Sequence, residues 1–163
     1  MTPDGFVVDN SVLSACYRQE WMGLLEHRAE ESELLVPNRI WEDEFLPEHE
    51  PAEKPAYIET PSVSQYPYFP DAPTALGEYD LACLGLAAEY DYGVVTNDQA
   101  MFTRAEKRSL DPRWGTSFLI QTFLDCGISQ HQFEEGKHGY LDDVYLPEKA
   151  RQQVLNAQKS DNS

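Results

Sequence analysis

The six residues Phe6-Val7-Val8-Asp9-Asn10-Ser11 constrain this chain more than any other stretch. A short apolar run rich in β-branched residues is the pattern of a strand buried on both faces, as in a parallel sheet. The run stops at a carboxylate, and Asn10 or Ser11 can cap a following helix. In an open α/β sheet, ligands sit in the crevice outside the carboxyl ends of the strands, which places Asp9 on the functional edge. The competing reading is that Asp9 only caps the next helix. A second run, Tyr92-Gly93-Val94-Val95-Thr96-Asn97-Asp98, ends the same way and favours a shared role for Asp9 and Asp98.

The 163 residues suit one domain with a real core, spanning 1–163. No apolar run approaches membrane-spanning length, and no charged-then-apolar leader opens the chain, so a cytoplasmic protein without a membrane partner is expected. Cys16, Cys83 and Cys126 are odd in number and widely spaced on apolar, helix-like segments, which predicts buried thiols and no disulfide frame. His27, His49, His131 and His138 are scattered without metal-ligand spacing. The formal net charge is −17, from 29 acidic and 12 basic residues. Such a charge argues against holding nucleic acid by broad electrostatics, and it is the kind of surface halophiles use.

Residues 11–30 carry helical spacing in two stripes and predict two short helices, or one broken near Gln19. Leu34-Leu35-Val36 predicts a second strand closed by Pro37, with Asn38 capping a helix that carries Ile40 to Leu46. On a wheel of that helix Ile40, Trp41 and Phe45 share a face, and Glu44 falls in the same arc. Glu42 points away and Asp43 sits at the edge. Seven of the eleven prolines fall in 47–73, which reads as an insertion or flap with no regular helix. Its aromatic run Tyr66-Pro67-Tyr68-Phe69 suits either pinning a loop or stacking on a base. Gly77 to Asp91 is the clearest helix, with Leu81, Leu84, Ala87 and Ala88 as its buried stripe and Glu78 and Asp80 in its first turn. After Asp98 a helix is expected from Gln99 to Lys107, then an apolar one from Gly115-Thr116. A helical extension over 129–163 closes the chain. Strand and helix alternating in this order predict α/β class, three layers with a short parallel sheet.

Four acids then share a pattern: Asp9 and Asp98 at strand ends, Glu44 and Asp80 on inner helix faces. Carboxylates converging on one crevice repel one another unless a cation joins them. Oxygen ligands without His or Cys suit a hard ion, Mg2+ or Mn2+, which can activate water and neutralise charge on a phosphodiester. No phosphate-binding glycine loop, nucleophile elbow or Ser-His-Asp arrangement is evident.

These segments resemble the PIN-domain ribonucleases, in particular VapC-type toxins of toxin–antitoxin pairs. FVVDNSVLSAC is similar to their opening strand with its Asp, here Asp9. LLVPNRIWEDEF resembles their second strand and following helix, LGEYDLACLGLA their Gly-Glu-x-acid helix, GVVTNDQAM their Thr-x-Asp strand end, and WGTSFLIQTFLDCGIS their Gly-Thr-led helix. The resemblance covers about residues 5–132 and leaves the segment 47–73 unmatched. It implies a PIN-like fold and a Mg2+- or Mn2+-dependent endoribonuclease. Asp9 and Asp98 would hold the metal, with Asp80 binding it directly or through water. Glu44 would orient or deprotonate the attacking water, Asp43 and Glu42 remaining open as alternatives within the acidic trio. Asn10, Ser11 and Thr96 would orient the carboxylates. Arg104, Lys107, Arg108 and Arg113 are the expected RNA phosphate contacts, with a compensated surface helix as the plainer reading. An antitoxin partner and a homodimer follow from the resemblance alone. The rival readings are a non-catalytic PIN-like module binding RNA or protein, and another metal-dependent phosphohydrolase.

Overall fold

The protein is seen in a computed structural model that describes residues 4–49, 52–62 and 77–159. Five strands, β1 (Gly5–Val8), β2 (Glu33–Leu35), β3 (Ile58–Glu59), β4 (Gly93–Thr96) and β5 (Pro112–Trp114), form one all-parallel sheet in the order β3-β2-β1-β4-β5. From β1 the chain steps outward through β2 and β3, then returns to the other side of β1 as β4. The order therefore reverses between β1 and β4, and the crevice at their carboxyl ends is the switch point of the sheet. Val7 lies opposite Leu35 on one side and Val94 on the other. Val7, Val94 and Val95 are fully buried, each contributing about 1.5–3 kcal/mol. A sheet covered on both faces needs this continuous apolar run, with no polar alternation.

Helices α1 (Asn10–Arg18) and α2 (Met22–Ala29) pack together on one side. With them lie α7 (Gly115–Leu124), α8 (Gln130–Asp143) and α9 (Glu148–Asn156), through contacts of α7 with α2 and of α9 with α7 and α8. The other layer joins α3 (Asn38–Ile40), α5 (Glu78–Tyr90) and α6 (Gln99–Lys107). This three-layer α/β/α arrangement is the expected class and is consistent with a PIN-like fold. The break between α1 and α2 falls where Glu20 takes a left-handed backbone, φ 60°. The turn delivers Trp21 into the core, stacked on Phe133 of α8 at 4.8 Å. The C-terminal helices thus complete the core as well as extending the chain, with Phe133, Tyr140 and Val154 buried.

Several local expectations are corrected. Pro47 does not end its helix: α4 (Leu46–His49) runs on directly from the π-helical turn Trp41–Phe45 and contains it. Ile58 and Glu59 add the edge strand β3 inside the proline-rich stretch. Residues 50, 51 and 63–76, including Tyr66, Tyr68 and Phe69, lie outside the described residues. Pro37 occupies the cap position before α3, and the Asn38 N–H donates to the Pro61 carbonyl at 3.0 Å. On α5 the buried residues are Ala82 through Ala87, Ala88 being exposed, because the helix is pressed between the sheet and its neighbours. Cys16 and Cys83 are buried thiols, whereas Cys126 is exposed in the turn after α7. No helix among the described residues is long and apolar enough to cross a membrane.

Candidate active site

Asp9 leaves β1 with its N–H still in the ladder, donating to the Val95 carbonyl at 3.0 Å. It occupies the cap position of α1, but its side chain caps no helix amide. Instead Oδ2 accepts from the hydroxyls of Ser11 and Thr96, each at 3.0 Å. Burial, helped by the charge of Asp80, pushes the carboxyl up to about 6, while these hydroxyls and the Asn10 N–H pull the other way. Asn10 acts here through its main chain; its side chain accepts from Ser14 Oγ at 3.0 Å. Ser14 in turn meets His49 Nε2 at 3.1 Å, which ties α4 to α1.

Asp98 plays a different part. Its Oδ1 accepts from the Met101 N–H at 2.9 Å and caps α6. The Asp98 N–H donates to Thr96 Oγ1 at 3.0 Å. The fully buried Thr96 hydroxyl therefore donates to one aspartate and accepts from the backbone of the other.

Glu44 lies in a wider π-helical turn, Trp41–Phe45, between α3 and α4. Such turns often mark functional sites, and nothing in the 100° wheel foretold this one. Trp41 and Phe45 are buried and stacked at 4.6 Å, Glu42 and Asp43 are exposed, and Glu44 is half-buried. Burial first, then the charges of Asp9, Asp80 and Asp43, push Glu44 up to about 7. Asp43 instead accepts from the Tyr79 hydroxyl at 3.3 Å. Asp80 sits in the first turn of α5, where its Oδ2 accepts from the Gly77 N–H at 3.2 Å. Burial raises its pKa, the Gly77 bond partly offsets this, and Asp98 adds to the rise. Asp80 thus couples to Asp98 and also raises Asp9 and Glu44.

Beneath these acids lies a group the sequence did not advertise, the buried Cys83 thiol. Burial holds it neutral, reinforced by Asp9, Asp80 and Glu44. Gly115, at the start of α7, closes the crevice from the other side. A Cβ there would stand 2.6 Å from Val12 Cγ2 and 2.8 Å from Asn97 Oδ1, so a larger residue fits only if these side chains shift.

No group of three or more His, Cys, Asp or Glu side chains among the described residues is drawn close enough to hold a metal ion as arranged. The donor chemistry nevertheless fits a hard cation: oxygen ligands only, and three carboxyls pushed toward the protonated form by burial and by one another. A divalent ion would relieve that repulsion.

The basic residues fall elsewhere. Helix α6 starts at the acid edge and runs back across the sheet, carrying Lys107 about 13 Å along its axis from Asp98. Arg108 follows it, and Arg104 is buried. Arg113 bonds Asp111 and leans over the Phe6 ring, 5.6 Å from its centroid. Among the described residues a cation that does lie on the acid side is Arg39, which the sequence did not single out; it pairs with Glu78 and lies over Tyr79. A concavity of about 890 Å³ reaches toward the opposite edge, lined by Asp4, Glu31, Glu33 and Tyr92 among others and by none of the four acids.

Fold and site together define the class: a three-layer α/β protein with a parallel five-stranded sheet and carboxylates gathered at its switch point. No protein-family model, no curated protein and no solved structure matches the chain.

Proposed function

We propose that this chain is a PIN-type endoribonuclease dependent on Mg2+ or Mn2+, hydrolysing phosphodiester bonds in RNA. One observation carries the reading. Two strands that flank the switch point each end in an aspartate, and two helices bring Asp80 and Glu44 to the same edge, where charge and burial raise their pKa values. Asp9, Asp98 and Asp80 would hold the cation, which when bound supplies an acidified water and charge neutralisation at the scissile phosphate.

The remaining work belongs to the chain's own groups. A carboxyl pushed up to about 7, as Glu44 is, accepts and returns a proton near neutral pH and suits a general base for the attacking water. Ser11 and Thr96 hold Asp9 Oδ2 with two hydroxyl donors, so the carboxylate orientation is set before anything binds. Cys83 contributes a neutral floor that adds no charge. An antitoxin partner and a homodimer belong to the same proposal and rest on the family resemblance.

The deciding experiment incubates the purified chain with single-stranded RNA and Mg2+ or Mn2+. Cleavage that EDTA stops and Asp9→Asn abolishes is the expected result. Cleavage surviving Asp9→Asn would leave a contaminating nuclease, and the reading would fall.

A further inference from the structure

Beside Asp98 the carboxyl edge opens into a cavity of about 520 Å³, more enclosed and more apolar than the concavity at the opposite edge. Its size falls in the range of about 300–1,000 Å³ typical of small-ligand sites. Asn97 and Gln99, on either side of Asp98 in sequence, line it, together with Trp114 at the end of β5 and Tyr145, Leu146 and Lys149. Two features point to a flat, aromatic occupant. Trp114 is held rigid by stacking on Phe102, with ring centroids 4.0 Å apart and planes 5° from parallel. Tyr145 is 96 % exposed, an aromatic ring with almost nothing against it, on the link between α8 and α9. Asn97 serves the fold and not the cavity: its Oδ1 accepts from the Thr116 N–H at 3.1 Å, and its Nδ2 is buried with no surface open to an occupant.

We propose that this cavity is a nucleobase subsite, taking the base of an RNA nucleotide that flanks the scissile phosphate. The proposal rests on the ribonuclease reading and deepens it. A chain with a net charge of −17 has little electrostatic grip on a phosphate backbone, and its acid edge repels one. Affinity must then come from contacts indifferent to charge, and stacking of a base on an aromatic side chain is such a contact. Tyr145 and Trp114 supply the faces, and Lys149 a cation for the adjoining phosphate.

The test measures binding of a fluorescein-labelled single-stranded RNA hexamer by anisotropy, in Mg2+, to the full chain carrying Asp9→Asn so that the RNA stays intact. Adding Tyr145→Ala, which cannot disturb packing at so exposed a position, is expected to weaken binding about tenfold. Ala150→Trp, which fills the cavity from α9, should do the same with an unchanged melting temperature. A hexamer of abasic nucleotides should bind weakly and show no response to Tyr145→Ala. If both variants bind the RNA with parental affinity, the subsite is overturned; a cavity built for a protein partner's apolar side chain would give that result. Metal-dependent cleavage by the unmodified chain, assayed in parallel, would then still stand. If the unmodified chain neither cuts RNA nor binds it as the Asp9→Asn chain, both readings fall together.

Discussion

The Thr96 hydroxyl donates to Asp9 Oδ2 across 3.0 Å, joining the ends of two adjacent strands that lie 87 residues apart in sequence. The same oxygen accepts from the Asp98 N–H at 3.0 Å. One buried hydroxyl therefore registers both strand-end aspartates at the switch point, and it is the part of the site whose removal has the plainest consequences.

Thr96→Val keeps the shape of the side chain and deletes the donor. Asp9 would lose one of the bonds that restrain its rise in pKa, and the Asp98 N–H would lose its acceptor. A loss of about 1–3 kcal/mol is expected in urea unfolding at neutral pH, the scale of a buried polar group left unsatisfied. Unchanged stability would mean that water replaces the hydroxyl and the clamp is incidental.

The metal-free protein should lose stability as pH rises through the range of its crowded acids. Asp9 goes from an ordinary 3.8 to about 6 on folding, and Glu44 from 4.5 to about 7. Between those values the folded state binds more protons than the unfolded one, so stability present at low pH is lost as pH climbs. For Asp9 the rise corresponds to about 3 kcal/mol. Asp9→Asn removes this share, and its melting temperature in EDTA should gain on the parent's from about pH 4 to about pH 7. A constant difference between the two proteins over that interval contradicts the argument.

Divalent ions should act at the same place with the opposite sign. At pH 8 in low salt, millimolar Mg2+ or Mn2+ is expected to raise the melting temperature of the parent, by binding the folded state alone. At pH 5, where protons compete for the carboxylates, the rise should shrink. Asp9→Asn should remove most of it at either pH.

Within the acidic trio, Glu44→Gln should lower metal-dependent RNA cleavage by about a hundredfold or more, the scale of a lost general base. Glu42→Gln, on the exposed side of the π turn, should leave it nearly unchanged. Asp43→Asn loosens the contact with Tyr79 and removes the smallest of the charges that raise Glu44, and should cost little. Activity that survives Glu44→Gln and vanishes in Asp43→Asn would transfer the role to Asp43.

Gly115→Ala tests the closeness of α7 to the crevice. The added methyl meets Val12 and Asn97 well inside van der Waals contact, and overpacking of this kind costs about 1–3 kcal/mol. Chemical denaturation gives the number; a neutral substitution would show that α1 yields freely.

The acid edge was legible in the sequence because local rules govern it. Runs such as Phe6-Val7-Val8 and Val94-Val95-Thr96 can be satisfied only as strands covered on both faces, and a carboxylate just past each must then stand at the carboxyl edge. Helical spacing put Glu44 with Ile40, Trp41 and Phe45 for the same reason. What the sequence did not disclose depends on partners remote in the chain. β3 and β5 are two and three residues long, below the length at which periodicity speaks, and exist because β2 and β4 offer them an edge. Arg104, Lys107 and Arg108 look adjacent to Asp98 in sequence, but the axis of α6 carries them away from it. Cys83 lies under the acids, Arg39 beside Glu78, and the Thr96 hydroxyl between two aspartates only because β4 comes back to pair with β1. Local patterning determined which residues end strands and face inward; the return of the chain to the far side of β1, a long-range pairing driven by burial of both sheet faces, decided which of them meet.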